Sequence, residues 1–239
     1  MTKIQKELRK YSSINRKEKS EYFFKTDNGG YSEHDKFIGV SMPNIRCIAK
    51  KFIDMSLLDV ASLLHSEIHE DRLCALVILS EQSKKANKLE RSKITKCYLK
   101  NKKWVNNWDL VDVSAHYILG NYILDNPEKR GILDTLVISK NMWDRRIAIV
   151  STWIMNRTGK IDETLILSEK LLEDKEDLIH KAVGWMLREA WKKEPERVED
   201  FLKQHYNRLP RTTLRYAIER MEEGKRKIFL KGEFKTKTL

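Results

Sequence analysis

Apolar residues recur every three to four positions along almost the whole chain, with polar residues between them. This spacing is that of amphipathic helices, each of which turns one apolar face toward a core. It predicts an all-α protein with helices near residues 2–25, 43–53, 56–64, 69–83, 88–101, 107–124, 128–139, 142–156, 162–173, 176–192, 195–206 and 210–221. The long stretch without this pattern, residues 26–36, is predicted to be an irregular loop.

The predicted helices are short and numerous, which indicates a helical repeat array. Three segments can be aligned so that Leu73, Arg146 and Lys181 are equivalent, and Asp112 falls between the first two of them, which gives intervals of 39, 34 and 35 residues. Such intervals are typical of HEAT-like pairs of helices, so we expect a HEAT-like helical repeat solenoid. In a solenoid of this kind, equivalent positions form one stripe on the concave surface.

Positive charge is concentrated in three parts of the chain. The formal net charge is +12 at pH 7, and residues 1–25, 84–103 and 224–239 carry +5, +8 and +5. Clusters of Lys and Arg are often only solvated helix faces, but concentrated positive charge also attracts the backbone of nucleic acids. We therefore expect a concave basic face on a single DNA-binding domain, residues 1–223, followed by a frayed basic C-terminal tail, residues 224–239.

The composition argues against several other classes of protein. The cysteines, Cys47, Cys74 and Cys97, are odd in number and widely spaced, which predicts neither a disulfide framework nor a metal site. The N-terminus is charged, unlike a signal peptide, and no apolar run reaches about 18 residues. We therefore expect a cytoplasmic protein with no cofactor, no metal and no membrane segment. A monomer would suffice, so we expect a monomer.

The predicted helix that begins at Trp108 carries an unusual group of side chains. At 100° per residue, its apolar side is formed by Leu110, Val113, Tyr117 and Ile118. Trp108, Asp112 and His116 lie on the opposite side, one turn apart. A tryptophan on the side away from the apolar face suggests a site. We expect His116 to be solvated and assign it no role.

The helix predicted at residues 176–192 repeats this arrangement. Its apolar face is formed by Ile179, Val183, Met186, Leu187 and Ala190. Trp185 points away from that face, with Lys181 and Arg188 beside it. Packing or an ordinary ion pair explains each of these residues taken alone. Combined with the carboxylate of Asp112 on the same stripe, they form a candidate site.

Four motifs carry a resemblance to known proteins. They are Phe37-Ile-Gly-Val40 followed by Pro43 and Arg46; Trp108-Asp-Leu-Val-Asp112; Trp143-Asp-Arg-Arg-Ile-Ala148; and Lys181-Ala-Val-Gly-Trp-Met-Leu-Arg-Glu189. In these motifs the chain resembles the AlkD-like DNA alkylation repair family, which are HEAT-like repeat DNA glycosylases. The resemblance is strongest from Phe37 to about Ala217, and the last motif is the most specific.

The resemblance implies that Asp112 is the catalytic aspartate and that Trp108 and Trp185 flank it in the cleft. The family is described as excising N3- and N7-alkylated purines, in which the base is cationic and leaves easily. One carboxylate is then enough to stabilise an oxocarbenium-like transition state and to position water. The faces of the two tryptophans suit contact with the deoxyribose and the cationic base.

We expect four DNA-binding residues: Arg146, Arg188, Lys181 and Tyr22. By the resemblance, Arg146 and Arg188 bind phosphates in bidentate fashion. Tyr22 matches an N-terminal aromatic residue that closes over the lesion. The implied partner is double-stranded DNA containing alkylated purines, recognised along its backbone without a deep pocket.

The loop at residues 26–36 departs from the family's pattern because it lengthens the region after the N-terminal helix. Relatives with altered N-terminal regions resemble DNA binders without glycosylase activity. The first hypothesis is therefore an alkylpurine DNA glycosylase, and the alternative is a non-catalytic repeat protein that binds damaged or structured DNA. The third hypothesis is a protein–protein adaptor. Its concave face would be expected to show Leu, Met and Phe, whereas this stripe shows Arg, Lys and Asp.

Overall fold

The chain is all-α in the computed structural model, which describes residues 1–33 and 35–234. No strand occurs among the described residues, where Lys36 and Ile68 form an isolated parallel bridge. No described helix is long and apolar enough to cross a membrane. The all-α prediction is confirmed, whereas the solenoid and its concave basic face stay predictions.

The described residues form two compact units, which divide between Tyr122 and Ile123. The first unit contains α1 (Lys3–Arg9), α2 (Ile14–Phe24), α3 (Met42–Lys51), α4 (Leu57–Leu64), α5 (His69–Lys85), α6 (Lys88–Lys100) and α7 (Trp108–Ala115). A 3-10 turn at Lys102–Trp104 precedes α7, and a π-helical segment at His116–Gly120 follows it. The short α8 (Asn121–Asp125) spans the division in the sequence.

The central helix of the first unit is α5, which packs against α3, α4 and α7. Residues 71–80 of α5 are buried without interruption, as is typical of a helix that is enclosed on all sides. The run from Leu73 to Leu79 supplies its apolar surface. The first turn of α5 differs from this apolar run in composition. Its four residues, His69-Glu-Asp-Arg72, are charged, yet they are buried as well. Each of these charges needs a partner inside the protein.

The single helix expected at residues 2–25 is two helices, α1 and α2. At the break, the Ser13 Oγ accepts a hydrogen bond from the backbone N–H of Arg16 at 3.4 Å. The backbone N–H of Ser13 donates to the carbonyl of Ile38 at 3.1 Å. A serine in this position satisfies an N–H at a helix start and competes with helix continuation. The prediction of one continuous helix is therefore wrong.

The helix predicted at residues 107–124 changes its winding after Ala115. The side chains that follow the π-helical segment His116–Gly120 therefore point in other directions than a regular α-helix, at 100° per residue, would give them. His116 is buried, with 7% of its surface exposed, so the prediction of a solvated histidine is wrong. Burial and the charge of Lys84 lower the pKa of His116 to about 4. This histidine is therefore neutral at physiological pH.

The second unit contains α9 (Gly131–Val137), α10 (Met142–Ser151), α11 (Trp153–Arg157), α12 (Asp162–Lys170), α13 (Asp177–Trp191), α14 (Pro195–Gln204), α15 (Arg211–Ala217) and α16 (Glu223–Lys231). Its central helix is α13, which packs against α10, α11, α14 and α15. The residues predicted for its apolar face are all buried: Ile179, Val183, Met186, Leu187 and Ala190. That prediction is confirmed.

The C-terminal basic stretch is partly helical. We expected a frayed tail over residues 224–239, but α16 covers Glu223–Lys231 and buries Phe229. Gly232 ends the helix in the left-handed conformation at φ 74°, which glycine adopts without steric cost. The prediction of a frayed tail is wrong for α16, because Phe229 gives this helix an apolar anchor. Residues 235–239 of the predicted tail lie outside the described residues.

Candidate functional site

Asn107 fixes the start of α7, the helix that carries Trp108 and Asp112. Its Oδ1 accepts a hydrogen bond from the backbone N–H of Trp108, the first residue of the helix, at 2.8 Å. Its Nδ2 donates to Ser32 Oγ at 2.7 Å and to Asp35 Oδ2 at 3.0 Å. The loop that contains Ser32 and Asp35 is thereby connected to the start of α7. Asp112 lies one turn beyond Trp108 and is half-buried.

Trp108 lies in an aromatic cluster. Its ring stacks on Phe24, with centroids 5.3 Å apart and an interplanar angle of 22°, and meets Phe23 edge-on at 5.9 Å. The indole N–H donates to the Tyr31 hydroxyl at 3.1 Å. Phe24 also stacks on Phe37, with centroids 5.0 Å apart. The orientation of Trp108 is therefore held by α2 and by the loop that follows it.

Next to this cluster, the buried ring of His69 joins two carboxylates. Nδ1 lies 3.0 Å from Asp35 Oδ2, and Nε2 lies 2.8 Å from Asp109 Oδ2. Arg72 donates to the other oxygen of Asp35 at 2.5 Å. The His69 ring also stacks on Phe37, with centroids 4.5 Å apart. These contacts bind the first turns of α5 and α7 to the loop before α3.

The two carboxylates keep His69 charged although the ring is buried. Burial opposes the charged form, but the charge and hydrogen bond of Asp109, together with those of Asp35, raise the pKa of His69 to about 9. Burial also favours the neutral form of Asp35, but His69 and Arg72 hold the pKa of this carboxyl below its ordinary value. His69 is therefore a cation at neutral pH, and both of its ring N–H groups donate.

We expect the stability of the protein to fall as the pH rises through about 9. Because the pKa of His69 is raised on folding from 6.5 to about 9, its contribution is complete below pH 6.5 and is lost as the proton leaves. A shift of this size corresponds to on the order of 3 kcal/mol. The measurement is Tm from about pH 6 to about pH 10 for wild type and for His69→Gln. The difference between the two proteins should shrink as the pH rises, and parallel curves would contradict the assignment.

Glu70 holds the segment that precedes α3. Its buried carboxylate accepts hydrogen bonds from the backbone N–H groups of Ile38, Gly39 and Val40 at 3.1, 2.7 and 3.2 Å. Gly39 has φ 76°, and a Cβ there would lie 2.1 Å from the carbonyl oxygen of Ser13. The Phe-Ile-Gly-Val motif therefore needs glycine at this position, where its backbone approaches the start of α2.

These elements enclose an open cavity of about 670 Å³ at the N-terminal ends of α3, α5 and α7. Its aromatic lining consists of Tyr22, Phe23, Phe24, Phe37 and Trp108, and we call it the aromatic cavity. Arg16 and Lys19 of α2 line it with exposed side chains, and Asp109 contributes a carboxylate. Tyr22, expected to close over a lesion, is 85% exposed. The structure thus brings Tyr22 and Trp108 to one cavity.

The remaining predicted residues lie in the second unit, most of them on α13. Trp185 is half-buried and lies away from the buried face of this helix. Lys181 pairs with Asp177 one turn earlier at 2.8 Å. Arg188 pairs with Glu219. Both cations are therefore engaged with carboxylates on the surface of the same unit.

Arg146 differs from an exposed phosphate-binding arginine. Only 5% of its surface is exposed, and its guanidinium donates to the backbone carbonyl of Leu178 in α13. The neighbouring Arg145 makes a bidentate pair with Asp174, with Nε–Oδ2 at 2.5 Å and Nη2–Oδ1 at 3.1 Å. The two arginines join α10 to α13 and to the segment before it. That Arg146 also contacts DNA stays a prediction.

Comparison with known proteins bears on both units. Residues 4–221 match the model of a family described as DNA alkylation repair enzyme. The chain belongs to that family. A solved structure with a similar fold is the predicted DNA alkylation repair enzyme from Enterococcus faecalis, at 17% identity and a TM-score of 0.71. The similarity covers 89% of this chain and 97% of that one. No curated protein matches the chain.

Membership of the DNA alkylation repair enzyme family confirms the resemblance found in the sequence and assigns a role in DNA repair. Sequence reasoning nevertheless missed three residues in this family member: Asp35, His69 and Asp109. For His69 the sequence contains a signal, because the charged run at residues 69–72 directly precedes an apolar run. No group of three or more His, Cys, Asp or Glu side chains in the described part of the chain could hold a metal ion.

Proposed function

We propose that the chain is a DNA glycosylase that hydrolyses the N-glycosidic bond of N3- or N7-alkylated purines in duplex DNA. The observation that carries the proposal is the placement of Asp112. It is a half-buried carboxylate one turn beyond Trp108, on a helix whose start is held by Asn107. Both Trp108 and Asp112 lie within the part of the chain that matches the family.

The chemistry requires little more than one positioned carboxylate. Alkylation at N3 or N7 gives the purine a positive charge, so the base leaves with the electrons of the glycosidic bond. The sugar then resembles an oxocarbenium ion. Asp112 stabilises this charge and accepts a proton from the water that attacks the anomeric carbon. The products are the neutral free base and an abasic site.

Aromatic and cationic residues supply the other contacts in this proposal. Trp108 offers an aromatic face to the sugar or the cationic base, and the same role for Trp185 stays an expectation from the family resemblance. Lys181 can exchange the carboxylate of Asp177 for a phosphate at small cost, because exposed ion pairs are weak. Arg188 is less exposed than Lys181, and its partner in the same exchange is Glu219. Arg146 is only 5% exposed, so its guanidinium has to become more exposed before it can bind a phosphate.

Wild-type protein incubated with duplex DNA that carries 7-methylguanine or 3-methyladenine is expected to release the free base. The released base is separated by chromatography and quantified over time. The same duplex without alkylation serves as the control. Release no faster than in a reaction without protein would show that the proposal is wrong.

A non-catalytic DNA binder is the second candidate, and the packing of Trp108 favours it. Phe23 and Phe24 contact the indole ring, and Tyr31 accepts its N–H, so this side chain is already engaged within the protein. Such a protein would bind DNA with an affinity that falls steeply as salt is added, and would release no base. Fluorescence anisotropy at low and high salt, beside the release assay, separates the two candidates.

A further inference from the structure

Asp35 is the residue at which the loop before α3 meets both α5 and α7. Its Oδ1 accepts a hydrogen bond from Arg72 of α5 at 2.5 Å. Its Oδ2 accepts from Nδ1 of His69 and from Nδ2 of Asn107, each at 3.0 Å. Only 8% of Asp35 is exposed. Because a buried carboxylate is stable only with its donors in place, these three bonds fix the loop against two helices.

Two chains of hydrogen bonds run from Asp35 to the first turn of α7. The first runs through His69, whose Nε2 donates to Asp109 Oδ2 at 2.8 Å. The second runs through Asn107, whose Oδ1 accepts from the backbone N–H of Trp108 at 2.8 Å. The residues on both sides of Trp108 are therefore held from the same carboxylate.

The position of Asp112 depends on the same turn of α7. Residues three and four apart are neighbours on a helix surface, so Asp112 lies on the side of Asp109 and Trp108. Over a single turn the backbone hydrogen bonds keep a helix rigid, and a shift at Asp109 is passed on to Asp112. A misplacement of about 1 Å at a reacting group can cost an enzyme on the order of 100-fold in rate.

We infer that Asp35 and His69 are positioning residues of the glycosylase site, and that they hold α7 in the orientation that its chemistry requires. The inference rests on the proposed function. Both side chains are buried, with His69 only 1% exposed, so they act through α7 and not by touching DNA. The loop at residues 26–36, which departs from the family's pattern, thereby becomes a support of the site.

The positioning depends on the charge of the His69 ring. A neutral imidazole carries one N–H, so it can donate to Asp35 or to Asp109 but not to both. Loss of the proton sets a lone pair of the ring against a carboxylate oxygen and releases one arm of the network. Although burial opposes the charged ring, the two carboxylates raise its pKa to about 9, so both bonds form at neutral pH.

The other ionisable side chains near this ring do not replace it. Glu70 of α5 binds backbone N–H groups of the segment before α3, and Arg72 already donates to Asp35. Those on the remaining neighbouring elements are Arg16, Lys19 and Tyr22 of α2, which line the aromatic cavity, and Lys36, which pairs with Glu67. His69 is therefore the group whose protonation controls the connection between Asp35 and Asp109.

The first test measures base release with protein in excess over a methylated duplex. His69→Gln and Asp35→Asn should each lower the single-turnover rate constant by roughly 10- to 100-fold, with DNA affinity near that of wild type. The wild-type rate constant should also fall as the pH rises through about 9, and His69→Gln should lack this fall. A lower yield of active protein with an unchanged rate constant would show a merely structural role and overturn the inference.

Asp71→Asn is the matched control for Asp35→Asn. Asp71 is a buried carboxylate in the same turn of α5 as His69, but it accepts from Gln5 at 3.0 Å and from Arg9 at 2.8 Å, both in α1. Each substitution removes one buried negative charge, so both proteins should lose stability. Only Asp35→Asn should lose rate, and equal rate constants for the two variants would overturn the inference.

A second readout needs no base excision. Protein labelled with 5-fluorotryptophan has six fluorinated rings, and Trp108→Phe identifies the ¹⁹F resonance of Trp108. This resonance should shift with a midpoint near pH 9 in wild type and should lack that transition in His69→Gln. No transition in wild type, or the same transition in both proteins, would overturn the inference.

The inference and the proposed function can fail separately. If methylated DNA yields no free base but the Trp108 resonance follows His69, the glycosylase chemistry is wrong and the positioning of α7 stands. If base is released at the wild-type rate by both His69→Gln and Asp35→Asn, the glycosylase proposal stands and the positioning role is wrong.

Discussion

Replacing Asp112 with asparagine is expected to lower the rate of 7-methylguanine release by roughly 100- to 1,000-fold. The amide has the size of the carboxylate, but it carries no negative charge to stabilise the sugar cation and cannot accept a proton from water. DNA affinity should change little, because cations and aromatic residues supply the binding. The measurement is single-turnover release of base from a methylated duplex, together with binding by anisotropy.

Asp54→Asn is the matched control for this variant. It makes the same chemical change at an exposed aspartate of the first unit, just after α3, and should leave the rate unchanged. Asp109→Asn is unsuitable as a control because Asp109 binds the charged ring of His69 at 2.8 Å. Release by Asp112→Asn at the wild-type rate would exclude Asp112 from the chemistry.

Gly184→Ala is expected to destabilise the second unit by about 2–3 kcal/mol. A Cβ at Gly184 of α13 would lie 2.4 Å from the Cβ of Tyr216 and 2.6 Å from the carbonyl oxygen of Thr213, both in α15. Neither atom can move away by a rotation of its own side chain, so the two helices would have to separate and lose packing. Tm should fall by roughly 5–10 °C for a chain of this size, measured by circular dichroism during heating.

Gly224→Ala is the matched control for the glycine change. Gly224 lies in the first turn of α16, and a Cβ there meets no atom within 4 Å. Because alanine favours a helix more than glycine does, this variant should be unchanged or up to about 1 kcal/mol more stable. Equal losses of Tm in the two variants would mean that the contact between α13 and α15 does not limit stability.

The fold class and most helices could be predicted because an amphipathic helix is a local pattern. The apolar face of α13 shows this best, since all five residues chosen from their spacing are buried. The predictions that failed lie where a contact changes the backbone. At Ser13 a hydrogen bond to Ile38 separates α1 from α2. At residues 116–120 a π-helical segment rotates the side chains away from the expected spacing.

The candidate site could be predicted only in part. The motif from Trp108 to Asp112 was visible in the sequence because both residues lie on one helix, one turn apart. The surroundings of Trp108 were not visible, because Phe24 and Tyr31 come from more than seventy residues earlier in the chain. The aromatic cavity was not visible either, because its lining comes from α2, α3, α5, α7 and the segment before α3, which only folding brings together.

The sequence by itself determined the class of fold, the family of the chain, and the local order of aromatic, acidic and basic residues along its helices. Only the tertiary structure decided which charges are buried. His69 reads as one more polar residue at a helix start, yet Asp35 and Asp109 keep its buried ring protonated. The reason is that a charge tolerates burial only when opposite charges surround it. Those partners come from distant parts of the chain, and folding brings them together.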